Sequence, residues 1–328
     1  MNEKCVITGG AGFIGSHLAD LLLKKGFEVE IIDNLSTGRK DNINHLFNKV
    51  KFHEFDLSEN QNNLTEILND ADYLFHLASL ADIVPSIKYP EVYFKANVQS
   101  TLNLLNSCNP KKLKKFVYAA SSSCYGIAEQ FPTSEIAGIS PEYPYALTKY
   151  IGEELVMHWS KVYKIKAIST RFFNVYGTRS RTSGTYGAVF GVFLAQKLAN
   201  KPLTIVGDGN QTRDFTYVTD VCNGLYLGAI SEYSGEIFNI GSGKPQSINY
   251  LAELIGGITT HIPKRPGEPD ITHADISKAQ RLLGYSPQIS FEEGVEIVLE
   301  NIEYWRDAPV WTPEKIINET KEWFKHLT

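Results

Sequence analysis

The chain has little cysteine and no excess of positive charge. Its four cysteines, Cys5, Cys108, Cys124 and Cys222, stand far apart with no Cys-x-x-Cys pair, so neither a disulfide framework nor a cysteine-based zinc site is expected and a reduced compartment fits best. Lys plus Arg total 32 against 37 Asp plus Glu, a net charge of −5. No basic domain offers a footprint for a phosphate backbone, which argues against nucleic acid as a partner. No apolar run approaches the roughly 18 residues of a membrane span. Met1 leads almost directly into Lys4-Cys5-Val6-Ile7-Thr8, without a basic start, an apolar stretch and a cleavage site. Neither secretion nor membrane insertion is expected, and a cytoplasmic location is. Repeats and low-complexity segments are missing. His17, His76 and His273 share no metal-ligand spacing, so structural histidines and no metal are expected.

What is present is an ordinary globular composition: 328 residues, 43% hydrophobic and 21% charged, enough for one large domain or two lobes. Short β-branched or aromatic runs (Cys5 to Thr8, Glu28 to Ile32, Tyr73 to Leu77, Phe116 to Ala120, Ala167 to Phe172) alternate with segments of helical period. This is the signature of an α/β fold with a doubly wound parallel sheet. After Asn174 the stretch Tyr176 to Thr185 is crowded with Gly, Ser, Thr and Arg, a loop by composition. The boundary is therefore set there: residues 1–174 form a dinucleotide-binding domain and residues 175–328 a smaller α/β ligand lobe, some segments of which return to the first. At the far end, Thr312-Pro313 starts a helix that carries Ile, Trp and Phe at helical spacing, expected to pack on the body.

After the first strand come Gly9-Gly10-Ala11-Gly12-Phe13-Ile14-Gly15, then a helical run. Glycines at 9, 12 and 15 permit a tight turn, close backbone approach to a pyrophosphate and close helix packing, while the helix N-terminus offers free N–H groups. Asp33 ends the second strand at about the spacing where a carboxylate meets the adenosine ribose. NAD is favoured over NADP, whose 2′-phosphate that carboxylate repels; nearby Arg39 pulls the other way. Asp56-Leu57, after the third strand, is a candidate for the adenine edge.

Of 17 tyrosines only Tyr145 is followed four residues on by lysine, Lys149, which puts both on one helical face. Ser121-Ser122-Ser123 follows the strand Phe116 to Ala120, at a C-terminal strand end where open α/β sheets bind ligands. A phenol brought from pKa 10 to about 7 needs about 4 kcal/mol of anion stabilisation. The Lys149 ammonium and an oxidised nicotinamide, each worth roughly 3 kcal/mol at about 6 Å, suffice. Ser121 is then expected to hold the reacting oxygen against Tyr145.

At these residues the sequence resembles the extended short-chain dehydrogenase/reductases, in their nucleotide-sugar 4-epimerase and dehydratase branch. The matching stretches are GGAGFIGSH at 9–17, HLA at 76–78, SSSCYG at 121–126, YALTK at 145–149, RFFNVYG at 171–177, GDGNQTRDFTYVTDV at 207–221 and RPGEPDITHAD at 265–275. The resemblance implies a Rossmann domain and a triad of Ser121, Tyr145 and Lys149, with Lys149 also on the nicotinamide ribose. It implies further cofactor contacts at Phe13, Ile14, Asn34, Ser36, Leu77 and Ala78. Asn174, Arg213 and Arg265 resemble contacts to a substrate diphosphate, which bidentate arginines suit, and Ser122, Ser123 and Val189 resemble further sugar-nucleotide contacts. Family 4,6-dehydratases carry Asp-Glu just after the catalytic hydroxyl residue, and UDP-glucuronate decarboxylases carry Glu two positions after it. Here those positions are Ser122 and Ser123, which resembles the 4-epimerases instead. Thr272 matches a position where these epimerases carry a bulky or a small residue, and a small one leaves room for a 2-acetamido group. The helices of residues 91–108 and 145–161 resemble those that pair in homodimers. A dehydratase, decarboxylase or keto-reductase remains the alternative; a non-enzymatic dinucleotide-binding regulator would not need the triad.

Overall fold

The computed structural model describes residues 2–59, 63–180 and 188–327; the part of the expected loop from residue 181 onward falls outside them. β1 (Lys4–Thr8), β2 (Glu28–Asp33), β3 (Val50–Glu54), β4 (Tyr73–His76), β5 (Lys115–Ser121), β6 (Ala167–Phe172) and the strand Glu236–Ile240 form one sheet. All of its pairings are parallel. From one edge the order is Glu236–Ile240, β6, β5, β4, β1, β2, β3. The chain winds outward through β1, β2 and β3, then returns to lay β4 on the other side of β1. The C-terminal ends of β1 and β4 therefore flank the point where the winding reverses, which is where such sheets hold ligands.

Strands buried on both faces read as continuous apolar runs rather than alternating ones, and the pleat sends successive side chains into two separate cores. Ile7, Ile31, Phe75, Val117 and Ile168 face one core with Leu18 and Leu22 of α1 (Phe13–Lys24). Val6, Ile32, Leu74, Phe116 and Ala167 face the other with Leu104 and Val156. Glu236–Ile240, which carries no distinctive sequence signal, pairs with β6, Ile240 opposite Phe172. The helix Val218–Ile230 packs on α1. Both come from beyond residue 174.

The remainder of the C-terminal half holds three two-stranded pairs: Leu203–Val206 with Thr259–Ile262, Thr212–Arg213 with Gln246–Ser247, and Val175–Tyr176 with Thr216–Tyr217. At the end, Thr312 caps the helix Pro313–Glu319 by accepting the Lys315 N–H, and a second short helix, Lys321–His326, follows. No helix among the described residues is long and apolar enough to cross a membrane. Nor does any group of three or more His, Cys, Asp or Glu among them have the arrangement of a metal site.

Candidate active site

A cavity of about 430 Å³ opens at the reversal point, within the ordinary range for ligand sites. Every cofactor contact expected from the sequence lines it: the glycine loop with Phe13 and Ile14, Asp33, Asn34 and Ser36 after β2, Asp56 and Leu57 after β3, Leu77 and Ala78 after β4, and Tyr145 and Lys149. The glycines have steric reasons. A Cβ on Gly15 would sit 2.2 Å from the Gly9 carbonyl oxygen, and Gly9 itself, at φ +71°, approaches the Ala78 backbone nitrogen so closely that a Cβ would lie 2.7 Å from it. The residue before α1 is Gly12, with no side-chain cap, so the first N–H groups of the helix face the cavity uncovered by a cap. A pyrophosphate fits this cradle. Asp33 takes the Ala11 N–H at 3.0 Å on one carboxylate oxygen and the Leu35 N–H at 2.8 Å on the other. Burial nonetheless raises its pKa. Two carboxylate oxygens offer about four acceptor sites, so ribose hydroxyls can still be accepted. Asn34 donates to Asp56 at 2.9 Å, joining the two turns. These features fit NAD.

Tyr145 and Lys149 lie on the helix Pro144–Val162, which starts with proline at N1. Its buried face runs through Ala146, Lys149, Gly152, Glu153 and Val156, and a Cβ at Gly152 would collide with the Tyr118 hydroxyl. The Lys149 ammonium lies 4.5 Å from the centre of the Tyr118 ring. Burial lowers its pKa to about 7, partly opposed by the charge of Glu153. Burial also raises Tyr145, against a hydrogen bond with Ser121 that lowers it. Burial thus acts against the charged form of both groups.

Ser121 ends β5 opposite Phe172 of β6. Its Oγ accepts from the Ser123 hydroxyl at 2.8 Å and from the Ser123 N–H at 3.2 Å. Ser123 thus buttresses Ser121, and no carboxylate stands at 122 or 123.

The expected substrate contacts form a second group, outside the lining of the cofactor cavity. Arg213 and Arg265 converge on one carboxylate, Glu268, each at 3.1 Å. Thr272 donates to Asn174 at 2.8 Å and accepts the Asp214 N–H at 3.1 Å. Val189 begins the helix Val189–Leu198, and its neighbours Ala188, Phe190, Gly191 and Val192 reach the cavity. Tyr143 stacks on Tyr145, centroids 6.4 Å apart, and Trp323 of the last helix packs on Tyr143 at 6.1 Å. Arg265 lies 5.2 Å from the centre of the Trp323 ring, so the phenol and this arginine share one aromatic wall. His17 is hydrogen-bonded to the Thr178 carbonyl, His76 to Thr8 and Thr101, and His273 to the Gly243 carbonyl.

Sequence reasoning missed several residues. Asn97 lies in a single π-helical turn, Lys95–Gln99, a feature that often marks functional sites. Its side chain grips both polar groups of the Leu80 backbone, at 2.8 and 3.0 Å, and donates to Thr148 at 2.9 Å. The loop after β4 is thereby fixed to the helix Pro144–Val162. Asp82, Asn42, Tyr304 and Trp311 also line the cavity. None has a local sequence signal, because each arrives by tertiary folding.

A family model described as GDP-mannose 4,6 dehydratase matches residues 6–298. A relative from Methanocaldococcus jannaschii named as a putative UDP-glucose 4-epimerase is 37% identical, over 90% of this chain and 96% of its own length. A UDP-glucuronic acid 4-epimerase from Bacillus cereus, solved with UDP-glucuronic acid and NAD, superposes with a TM-score of 0.85 at 35% identity, over 92% of this chain and 99% of that one. A UDP-N-acetylglucosamine 4-epimerase from Methanobrevibacter ruminantium, in complex with UDP-N-acetylmuramic acid, does so with 0.85 at 32% identity and the same coverage. UDP-glucuronic acid decarboxylases are among the relatives too. The chain belongs to the extended short-chain dehydrogenase/reductases, in the nucleotide-sugar 4-epimerase branch, and its cofactor is NAD.

Proposed function

We propose that this protein interconverts the C4 epimers of a UDP-hexose or UDP-N-acetylhexosamine. The observation that carries the reading is the pair Ser122 and Ser123, where an eliminating or decarboxylating relative carries acid, with Ser123 bound to Ser121 beside Tyr145 and Lys149. The NAD that the glycine loop and Asp33 would hold would supply the acceptor and then the donor of the C4 hydride, which inverts C4 only if the 4-keto ring presents its opposite face in between. Tyr145 Oη takes the C4 hydroxyl proton as the hydride leaves and returns it at the end. Ser121 holds the oxygen between the two steps. Lys149 holds the ribose and, when protonated, lowers the pKa of Tyr145. Arg213 and Arg265 are close enough together to hold a diphosphate, because they already share one carboxylate and arginine binds either anion bidentately. The small side chain of Thr272 leaves room for a 2-acetamido group and favours UDP-N-acetylhexosamines slightly over plain hexoses.

We assign most of the cofactor site to residues 1–174 and the sugar-nucleotide lobe to residues 175–328, segments of which return to the cofactor cavity at Val175, Phe190, Tyr304 and Trp311. A cytoplasmic homodimer completes the proposal. It is supported by exposed Val92, Phe94 and Leu147 on the two helices expected to pair.

A second reading has one observation in its favour. Asp82 lines the cavity and its charge acts on Tyr145, so an acid is present after all, away from positions 122 and 123. Incubation with UDP-, GDP-, CDP- and dTDP-sugars, with products identified by NMR and mass, separates the two. Two C4 epimers of unchanged mass are expected. A product 18 mass units lighter overturns the epimerase and points to Asp82.

A further inference from the structure

The family match ends at residue 298, yet part of the cavity wall comes from beyond it. Tyr304, Ala308, Pro309 and Trp311 line the cavity, as do residues that follow β2. Tyr304 is tied to the latter twice. The Arg39 guanidinium lies 5.1 Å from the centre of its ring, and its hydroxyl donates to Asn42 at 2.9 Å. Asn42 in turn donates to the Ala11 carbonyl at 2.9 Å, within the glycine loop.

The same segment is pinned between and beyond these lining residues by side chains that do not face the cavity. Trp305 is buried, 1% exposed, and the turn Ile302–Trp305 packs on the helix Val189–Leu198. Further on, Ile316 is fully buried, Glu319 pairs with Lys88 at 2.7 Å, and the Trp323 indole N–H donates to the Pro266 carbonyl at 2.7 Å. A stretch fixed at both ends, with its middle forming one wall of a ligand cavity, leaves that wall only by local unfolding.

We infer that residues 302–327 form a retention strap that walls the dinucleotide into its cavity, with the Arg39–Tyr304 contact as the clasp. Epimerisation demands such retention, because loss of the reduced cofactor between the two hydride transfers would strand the sugar as its ketone. The inference does not depend on which sugar is the substrate.

The test reads cofactor exchange and needs no turnover. Purified holoenzyme is mixed with excess etheno-NAD, and fluorescence retained on the desalted protein is followed in time, with Tm measured in parallel. Tyr304→Ala is expected to exchange at least about tenfold faster than wild type, the scale of one lost cation–π contact plus one hydrogen bond, and Trp311→Ala, which removes a ring from the cavity wall, to exchange faster than wild type as well. Tyr304→Phe, which keeps the ring under Arg39, should stay within about threefold. Exchange at the wild-type rate in both alanine variants, with Tm unchanged, overturns the strap. So does faster exchange that tracks Tm loss in all three variants, Tyr304→Phe included. Should Tyr304→Ala not fold, Arg39→Gln removes the clasp from the opposite side and is judged by the same rate. Altered exchange in an enzyme that forms no epimers would leave the strap standing and sink only the proposed reaction.

Discussion

Tyr145 and Lys149 show how far single residues can be read. Their spacing on one helical face was legible, but the burial that pulls Lys149 to about 7 and raises Tyr145 was not, because desolvation depends on the residues packed around a group. Tyr145→Phe should lower kcat by at least about 100-fold with KM little changed, the scale of a lost general acid or base. Near wild-type turnover would remove Tyr145 from the mechanism. Lys149→Ala should in addition move the rising limb of the kcat profile to higher pH. Thr272 supplies a specificity test at the same scale. Thr272→Tyr loses the bond to Asn174 and fills space, so kcat/KM should fall more for 2-acetamido sugars than for plain hexoses. An unchanged ratio between the two substrates would rule out that role. Glu268 escaped sequence reasoning because its meaning lies in the two arginines that reach it.

Among the elements, the helix Pro144–Val162 carries Tyr145 and Lys149 and also one member of a buried ion pair. Glu153, one turn after Lys149, meets Arg171 of β6 at 2.6 Å and accepts from Ser169 at 2.6 Å. Arg171 in turn donates to Tyr125 at 2.9 Å. Removing one member of such a pair leaves a charge without its counter-ion in the interior, at a cost of roughly 3 to 5 kcal/mol. Glu153→Gln is expected to lose stability on that scale in urea unfolding, and Glu153→Gln with Arg171→Met to recover much of it. A loss below about 1 kcal/mol for the single variant would mean that water reaches the pair. The strands β1, β2, β4, β5 and β6 were legible because parallel strands buried on both faces are continuous apolar runs. Glu236–Ile240 was not: its sequence is ordinary, and only the open edge of β6 assigns it to this sheet.

For the molecule as a whole, the two halves meet at His17 of α1, whose ring is hydrogen-bonded to the Thr178 carbonyl at 3.0 Å. Burial, with the charge of Arg179 adding to it, lowers its pKa to about 4. The folded value lies below the ordinary 6.5, so the unfolded chain takes up the proton first. Stability is therefore full above pH 6.5 and is lost as pH falls from there towards 4. The fully buried His76 shifts in the same direction. Tm should fall across this window, and less steeply in His17→Gln; equal slopes would mean that His17 does not titrate on unfolding. The sequence alone determined the parallel α/β sheet, the glycine cradle, Asp33 at the end of β2, the shared helix face of Tyr145 and Lys149, and the lack of acid at positions 122 and 123. Each of these is set by local sterics, by periodicity or by residues a few positions apart. Only the tertiary structure decided that Glu268 joins Arg213 to Arg265, that Asn97 locks the loop after β4 to the helix Pro144–Val162, that Asp82 brings a carboxylate into the cavity, and that Tyr304 to Trp311 contribute to its wall. These are contacts between segments distant in the chain, made by chain packing that leaves no pattern in either segment by itself.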